Sequence, residues 1–187
     1  MEAQALLEAL HTAERLKDAT RHCYTSGGRR ESVADHSWRM SLMAYWVCDQ
    51  FPGIDRDKLL RMCLIHDLGE CFTGDIPSFL KTRAHEDTEE RLLSAWVDTL
   101  PTPFREEMAA LYGEMAARET LEAKVYKALD NLEAVIQHNE SHLSTWSENE
   151  FDLNLRYGED KCAFSPYLTA LRKLIREETE RKIQAES

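Results

Sequence analysis

Leu59-Leu60-Arg61-Met62-Cys63-Leu64-Ile65-His66-Asp67-Leu68-Gly69-Glu70 opens as an almost continuously apolar run and ends by delivering two carboxylates and an imidazole. Apolar residues on nearly every side after Lys58 predict a helix in the middle of the molecule, with other helices around it. Asp55 stands where an N-cap belongs, and Phe51-Pro52-Gly53 breaks whatever comes before. His66, Asp67 and Glu70 then arrive at the end of a buried helix, where polar groups need partners. The stretch therefore points to an all-α fold and to a site within it.

Outward from it the same period continues. Leu6, Leu7, Leu10, Ala13 and Leu16 predict a first amphipathic helix ending near Lys17 or Asp18. Residues 20–30 are basic, contain Gly27-Gly28 and lack periodicity, so they read as a loop. Ser32 and Asp35 form a capping pattern ahead of a helix running to about Gln50, which puts His36 in its first turns. Thr73-Gly74-Asp75-Ile76-Pro77 is a turn. Charged and outer helices are expected over 86–100 and, after Pro101 and Pro103, over 104–118. From Thr120 a long helix carries Leu121, Val125, Leu129, Leu132, Val135 and Ile136 and brings Asp130 into apolar surroundings. Residues 141–165 have weaker periodicity, and a last helix begins near Pro166. The count is about six to eight helices.

A chain of 187 residues can bury a real core and is expected to form a single domain, 1–187, with a C-terminal extension from about 141. Only 7 Gly and 5 Pro agree with long helices and few turns. A net charge of −11 argues against long nucleic acids, whose binding needs a cationic surface. It does not exclude a small phosphorylated substrate, because a metal ion and a few Lys or Arg can make one cavity positive. The five cysteines, Cys23, Cys48, Cys63, Cys71 and Cys162, are scattered without a close pair and read as reduced thiols. The first residues are amphipathic and acidic, and no stretch reaches the apolar length of a signal peptide or membrane span. The expectation is a cytoplasmic protein.

Imidazole and carboxylate together suit divalent cations such as Mn²⁺, Co²⁺, Fe²⁺, Ni²⁺ or Zn²⁺. His66 and Asp67, joined by His36 from a preceding helix and Asp130 from a following one, supply two His and two Asp. Each has a plainer alternative. His36 pairs with a nearby carboxylate; Asp130 is a buried acid satisfied by Lys127 or Arg118; Asp75 is a turn former; Glu70 is a helix-terminal acid; Arg21 is a surface arginine. His138 and His142 read as surface groups rather than a second metal site. Trp38, Tyr45, Trp46 and Trp96 read as core or interface aromatics.

The order His36, His66-Asp67, Asp130, each on a helix, resembles the HD-domain metal-dependent phosphohydrolases. Glu31-Ser32-Val33-Ala34-Asp35-His36-Ser37, Leu64-Ile65-His66-Asp67-Leu68-Gly69-Glu70 and Thr73-Gly74-Asp75-Ile76-Pro77 are similar to the 5′-deoxynucleotidase branch. The likeness covers roughly residues 5–140 and implies a compact HD-domain bundle. It further implies one divalent ion (Mn, Co, Fe, Ni, Zn or Mg) on His36, His66, Asp67 and Asp130. By the same likeness Glu70 orients or deprotonates the attacking water and Asp75 serves the leaving oxygen. Arg21 contacts the phosphate, with Lys81 and Lys127 as weaker contacts. His22 follows Arg21 where the bacterial nucleotidases carry Trp, which leaves substrate preference open. The implied activity is phosphate release from (deoxy)ribonucleoside 5′-monophosphates, with a homodimer as the common assembly. Two alternatives stand beside it. One is the same chemistry on a nucleoside triphosphate, alarmone or cyclic nucleotide; the other is a non-catalytic metal or nucleotide binder.

Overall fold

The computed structural model describes residues 1–186. Helix α1 (Ala3–Ala13) runs through a 3-10 turn (Glu14–Lys17) into a hairpin of β1 (Thr20–Tyr24) and β2 (Arg30–Ser32). Then come α2 (Val33–Val47), a 3-10 turn, α3 (Arg56–Ile65), the single turn α4 (Glu70–Thr73), α5 (Arg83–Val97) and α6 (Phe104–Ala117). The long α7 (Leu121–Glu140) is followed by α8 (Glu148–Arg156), the single turn α9 (Glu159–Cys162) and α10 (Pro166–Glu186). Eight of these helices have nine or more residues, so the all-α expectation holds, with one small sheet added.

The core lies where α2, α3 and α7 meet. Met40 and Ala44 from α2, Leu59 and Met62 from α3, and Leu129 and Leu132 from α7 are all fully buried. Leu168 and Ile175 of α10 close this core from the C-terminal side. Local chemistry starts these helices where the sequence indicates. Ser32 and Asp35 form a reciprocal capping box at α2, and the Asp55 side chain accepts from Lys58 N at α3. Thr120 caps α7. Glu122 of α7 accepts a 2.7 Å bond from Asp55 N and pairs with Lys58 Nζ at 3.0 Å, pinning the start of α3 to α7.

Several expectations need correction. Residues 20–30 are not an open loop: Thr20 pairs with Ser32 and Tyr24 with Arg30 in an antiparallel hairpin whose tip holds Gly27-Gly28. Thr20, Cys23 and Tyr24 suit a strand, but five residues are too short a run to show its period. The first α-helix stops at Ala13, and the chain tightens into the 3-10 turn that carries the buried Leu16. Leu6, Leu7 and Leu10 of α1 are exposed, so the amphipathic face there meets no core. Helix α5 begins at Arg83 rather than 86, because Thr82 and His85 make a capping box. Helix α3 is not apolar-covered all round, since Leu64 is 61 % exposed. Trp38, Tyr45 and Trp46 project from α2 and are exposed, so they are not core residues.

Candidate functional site

His36 enters from the first turn of α2, His66 and Asp67 from the end of α3, and Asp130 from the middle of α7. The structure brings all four together. His36 Nε2 lies 3.2 Å from His66 Nε2 and 3.2 Å from Asp130 Oδ1. His66 Nε2 is 2.9 Å from Asp67 Oδ2, and the remaining His–Asp separations are 3.8 Å. Ligand bonds of about 2.0–2.2 Å put atoms that share one ion about 3–3.5 Å apart. His36, His66 and Asp67 group closely enough to hold a divalent cation, and Asp130 Oδ1 stands beside them at 3.2 Å from His36 Nε2. The histidines are almost wholly buried, whereas Asp67 and Asp130 line a cavity of about 280 Å³. The cluster is thus sealed on the core side and open on the cavity side.

The ring nitrogens away from the cluster are already committed. His66 Nδ1 meets Cys63 O at 2.9 Å, and His36 Nδ1 bonds Glu133. Each imidazole therefore donates from Nδ1 and turns its Nε2 inward, which is how outer partners orient metal-ligating histidines; an ion bound there would take the place of any Nε2 proton. Burial, then Arg21, works against a charged His36, but Glu133 and Asp130 outweigh them and lift its pKa to about 10. The four-atom cluster thus favours a positive charge at its centre. Burial also opposes ionised Asp67 and Asp130, yet the histidines hold Asp67, and Lys127 and the histidines hold Asp130, below the usual carboxylate range. Lys127 Nζ bonds Asp130 Oδ2 at 2.6 Å, so the paired reading of Asp130 and the cluster reading coexist: the other oxygen faces the histidines.

Glu133 was not among the sequence-derived residues, although its signal was available. It sits three residues after Asp130 on α7, hence on the same face. It is fully buried, and Arg39 Nε donates to its second oxygen at 2.7 Å. Arg39 also donates to Gln137 at 2.7 Å, so one arginine fixes two turns of α7 against α2. Glu31 was missed too. Its buried carboxylate pairs with Arg21 Nε at 3.1 Å and accepts from Cys23 Sγ, which holds Arg21 with Nη1 3.9 Å from Asp67 Oδ2.

Arg21, Glu70, Asp75, Lys81 and Lys127 all line the cavity. Burial, reinforced by Asp67 and Asp75 and opposed by Arg21, pushes Glu70 up to about 10. Burial also raises Asp75, with Arg21 opposing and Asp67 reinforcing. Gly74, at φ 71°, gives the turn a left-handed step that an L side chain rarely adopts, immediately before Asp75. Lys81 pairs with Glu89 at 2.8 Å. A Cβ at Gly69 would stand 2.7 Å from Glu89 Cγ, so the small residue in this motif permits that approach.

His138, expected at the surface, is instead buried on α7. Its Nε2 lies 2.5 Å from Glu150 Oε1, and His22 Nε2 lies 2.6 Å from the same oxygen. The partners come from β1 and α8, an encounter that neighbouring residues in the chain do not announce. His142 is exposed and bonds Ser144 at 2.8 Å.

A family model described as HD domain matches residues 13–172. The 5′-deoxynucleotidase HDDC2 of Homo sapiens is 34 % identical over 143 residues, 74 % of this chain and 69 % of that protein. The 5′-deoxynucleotidase hdd1 of Schizosaccharomyces pombe is 28 % identical over 141 residues, 71 % of this chain and 70 % of that one. The solved structure of a predicted metal-dependent phosphohydrolase from Magnetospirillum magnetotacticum MS-1 matches with a TM-score of 0.79 at 27 % identity, covering 96 % of this chain and 93 % of that chain. The cyanophage S-2L HD phosphohydrolase DatZ, solved with dA and one catalytic Zn²⁺ ion, shares the fold at a TM-score of 0.58 and 21 % identity, covering 94 % and 96 %. The family match spans every element that contributes to the four-atom cluster, from α2 through α7, and the chain belongs to the HD domain family.

Proposed function

We propose that the protein is a divalent-metal-dependent 5′-nucleotidase that releases phosphate from (deoxy)ribonucleoside 5′-monophosphates. The observation that carries this reading is the convergence of His36, His66, Asp67 and Asp130 at the floor of a cavity whose wall supplies Arg21, Lys81 and Lys127. The similarity to HDDC2 and hdd1, both named 5′-deoxynucleotidases, supports the substrate class.

The four residues would hold one cation, and two imidazoles with two carboxylates suit Mn, Co, Fe, Ni or Zn ahead of Mg. Such an ion, when bound, supplies neutralisation of phosphoryl charge and makes hydroxide accessible near neutral pH. Arg21, held by Glu31, grips phosphate oxygens through charge-assisted hydrogen bonds. Lys127 and Lys81 add positive charge to the same wall. Glu70 positions the attacking water. Repulsion from Asp67 is one cause of its raised pKa, so neutralising Asp67 moves Glu70 toward the ionised form that can accept a proton. Asp75, whose pKa burial raises, lines the same cavity and serves the departing 5′ oxygen as a proton donor when the P–O bond breaks.

Phosphate release across a panel of nucleoside 5′-monophosphates, with each metal returned to chelated protein, tests the reading. Glu70→Gln is expected to retain the bound metal and lose turnover by about 10²–10⁴-fold. Release of phosphate from no monophosphate, with any metal, overturns it.

A second copy of this chain is the partner we propose for the exposed aromatic face of α2. Five buried free thiols fit a reducing, cytoplasmic setting. Among the described residues no helix is long and apolar enough to cross a membrane.

A further inference from the structure

The cavity has a second polar end, away from the four-atom cluster. Glu150 lies in the first turn of α8, and its Oε2 accepts from Ser147 N and Ser147 Oγ, both at 2.7 Å. Its Oε1 faces His138 Nε2 at 2.5 Å and His22 Nε2 at 2.6 Å. His138 is itself oriented by Nδ1 against Ala134 O at 2.8 Å. The approach of His22 is off the line a hydrogen bond needs, so this buried nitrogen has unspent bonding capacity. Asn154, one helical turn beyond Glu150, is 3 % exposed, lines the same cavity, and has an Nδ2 without a partner. Buried donors without partners are costly, and two of them at one end of a cavity point to a ligand.

The chemistry of that ligand follows from charge and length. Separations of 2.5 and 2.6 Å are shorter than the 2.9–3.8 Å of the His36 cluster and than the about 3–3.5 Å between donors that share an ion, so His138 bonds Glu150 directly and the trio is not spaced around a cation. Burial opposes ionisation of Glu150, but His138 and the Ser147 bonds hold it below the usual carboxylate range. An anionic carboxylate repels phosphate, which belongs with Arg21, Lys81 and Lys127. What remains is a neutral group with donors and acceptors. Asp130 and His138 are eight residues apart on α7, about 12 Å along the helix axis, comparable to the reach of a nucleotide from phosphorus to the far edge of its base. Phe79 packs edge-on to His22 at 5.5 Å, and Tyr157 lines the wall, giving ring surface against which a base can pack.

We propose that His22, His138, Glu150 and Asn154 form the nucleobase subsite of this enzyme, an inference that rests on the nucleotidase reading above. The subsite reads the base edge by hydrogen bonds and leaves the phosphate to the opposite end. Residues of α8 thereby enter substrate recognition, and His22, beside the phosphate-directed Arg21, becomes a specificity residue.

Asn154→Ala and His22→Ala test it; Glu150 is left intact because it caps α8. Manganese-loaded wild type and variants are compared on deoxynucleoside 5′-monophosphates and on 2-deoxyribose 5-phosphate, which carries the same phosphate and sugar without a base. The ratio of kcat/KM for nucleotide over sugar phosphate is expected to fall about tenfold or more in each variant, through KM. An unchanged ratio, whether both substrates suffer equally or neither does, overturns the subsite and, in the first case, points to sugar or phosphate instead. Metal content adds an independent outcome: two ions per wild-type chain, with one lost in His22→Ala, would replace the base subsite by a metal site. If wild type hydrolyses no monophosphate, the nucleotidase reading fails on its own. Calorimetric titration with free deoxynucleosides then decides the subsite, which requires binding to wild type and its loss in Asn154→Ala.

Discussion

At the scale of single residues, the outer partners of the cluster matter as much as the donors. Glu133 fixes the His36 ring from a fully buried position and is itself fixed by Arg39. Glu133→Gln keeps the volume but weakens the acceptor and removes the charge. It is expected to lower manganese affinity about 10–100-fold, read by calorimetric titration. An unchanged affinity would show that packing alone orients His36. Because His36 also contacts Asp130, the variant should change affinity more than turnover at saturating metal.

At the scale of elements, the capping box at α2 sets the register on which His36 depends. Ser32 accepts from Asp35 N, Asp35 accepts from Ser32 N, and Arg29 Nη1 bonds the same carboxylate at 2.6 Å. Ser32→Ala is expected to cost about 1 kcal/mol in urea unfolding. The Arg29 bond is the largest influence on Asp35; it and the Ser32 bonds, against burial, lower its pKa from 3.8 to about 2. A depressed carboxylate stabilises the fold fully above its unfolded value, near 4, and that contribution disappears as pH falls through about 2. Wild type should therefore exceed Asp35→Asn in stability at pH 6, and the gap should close between pH 4 and 2. A gap that persists at pH 2 would assign the difference to something other than this charge.

The helix starts at Ser32, Asp55 and Thr120 were legible because capping is local: a side chain and an amide three residues on decide it. The hairpin at 20–32 was not, because its strands are held by pairing with each other and by α7, where Gln137 Nε2 donates to Tyr24 O at 2.6 Å. Nor was the exposure of α1, whose leucines have helical spacing but find no facing element in the chain.

At the scale of the whole molecule, the proposed second copy has an exposed aromatic face to cover. Trp38, Tyr45 and Trp46 on α2 are 66 %, 54 % and 65 % exposed, an aromatic concentration more typical of an interface than of free surface. Light scattering after size exclusion is expected to give twice the 21.6 kDa chain mass, and Trp38→Glu with Trp46→Glu to halve it. A wild-type monomer at micromolar concentration would remove the homodimer from the reading.

By itself the sequence determined most of the helices, the caps at Ser32, Asp55 and Thr120, and the order in which His36, His66, Asp67 and Asp130 appear, because period and capping act over a few residues. Only the tertiary structure decided that these four side chains come together, that Glu133 and Glu31 support them, and that His22, His138 and Glu150 meet at one end of the cavity. Those contacts join residues up to 128 positions apart, and their existence depends on how β1, α2, α3, α7 and α8 pack rather than on any local rule. Burial and neighbouring charge, which set the protonation of Glu70 and Asp75, likewise exist only after the chain has closed around them.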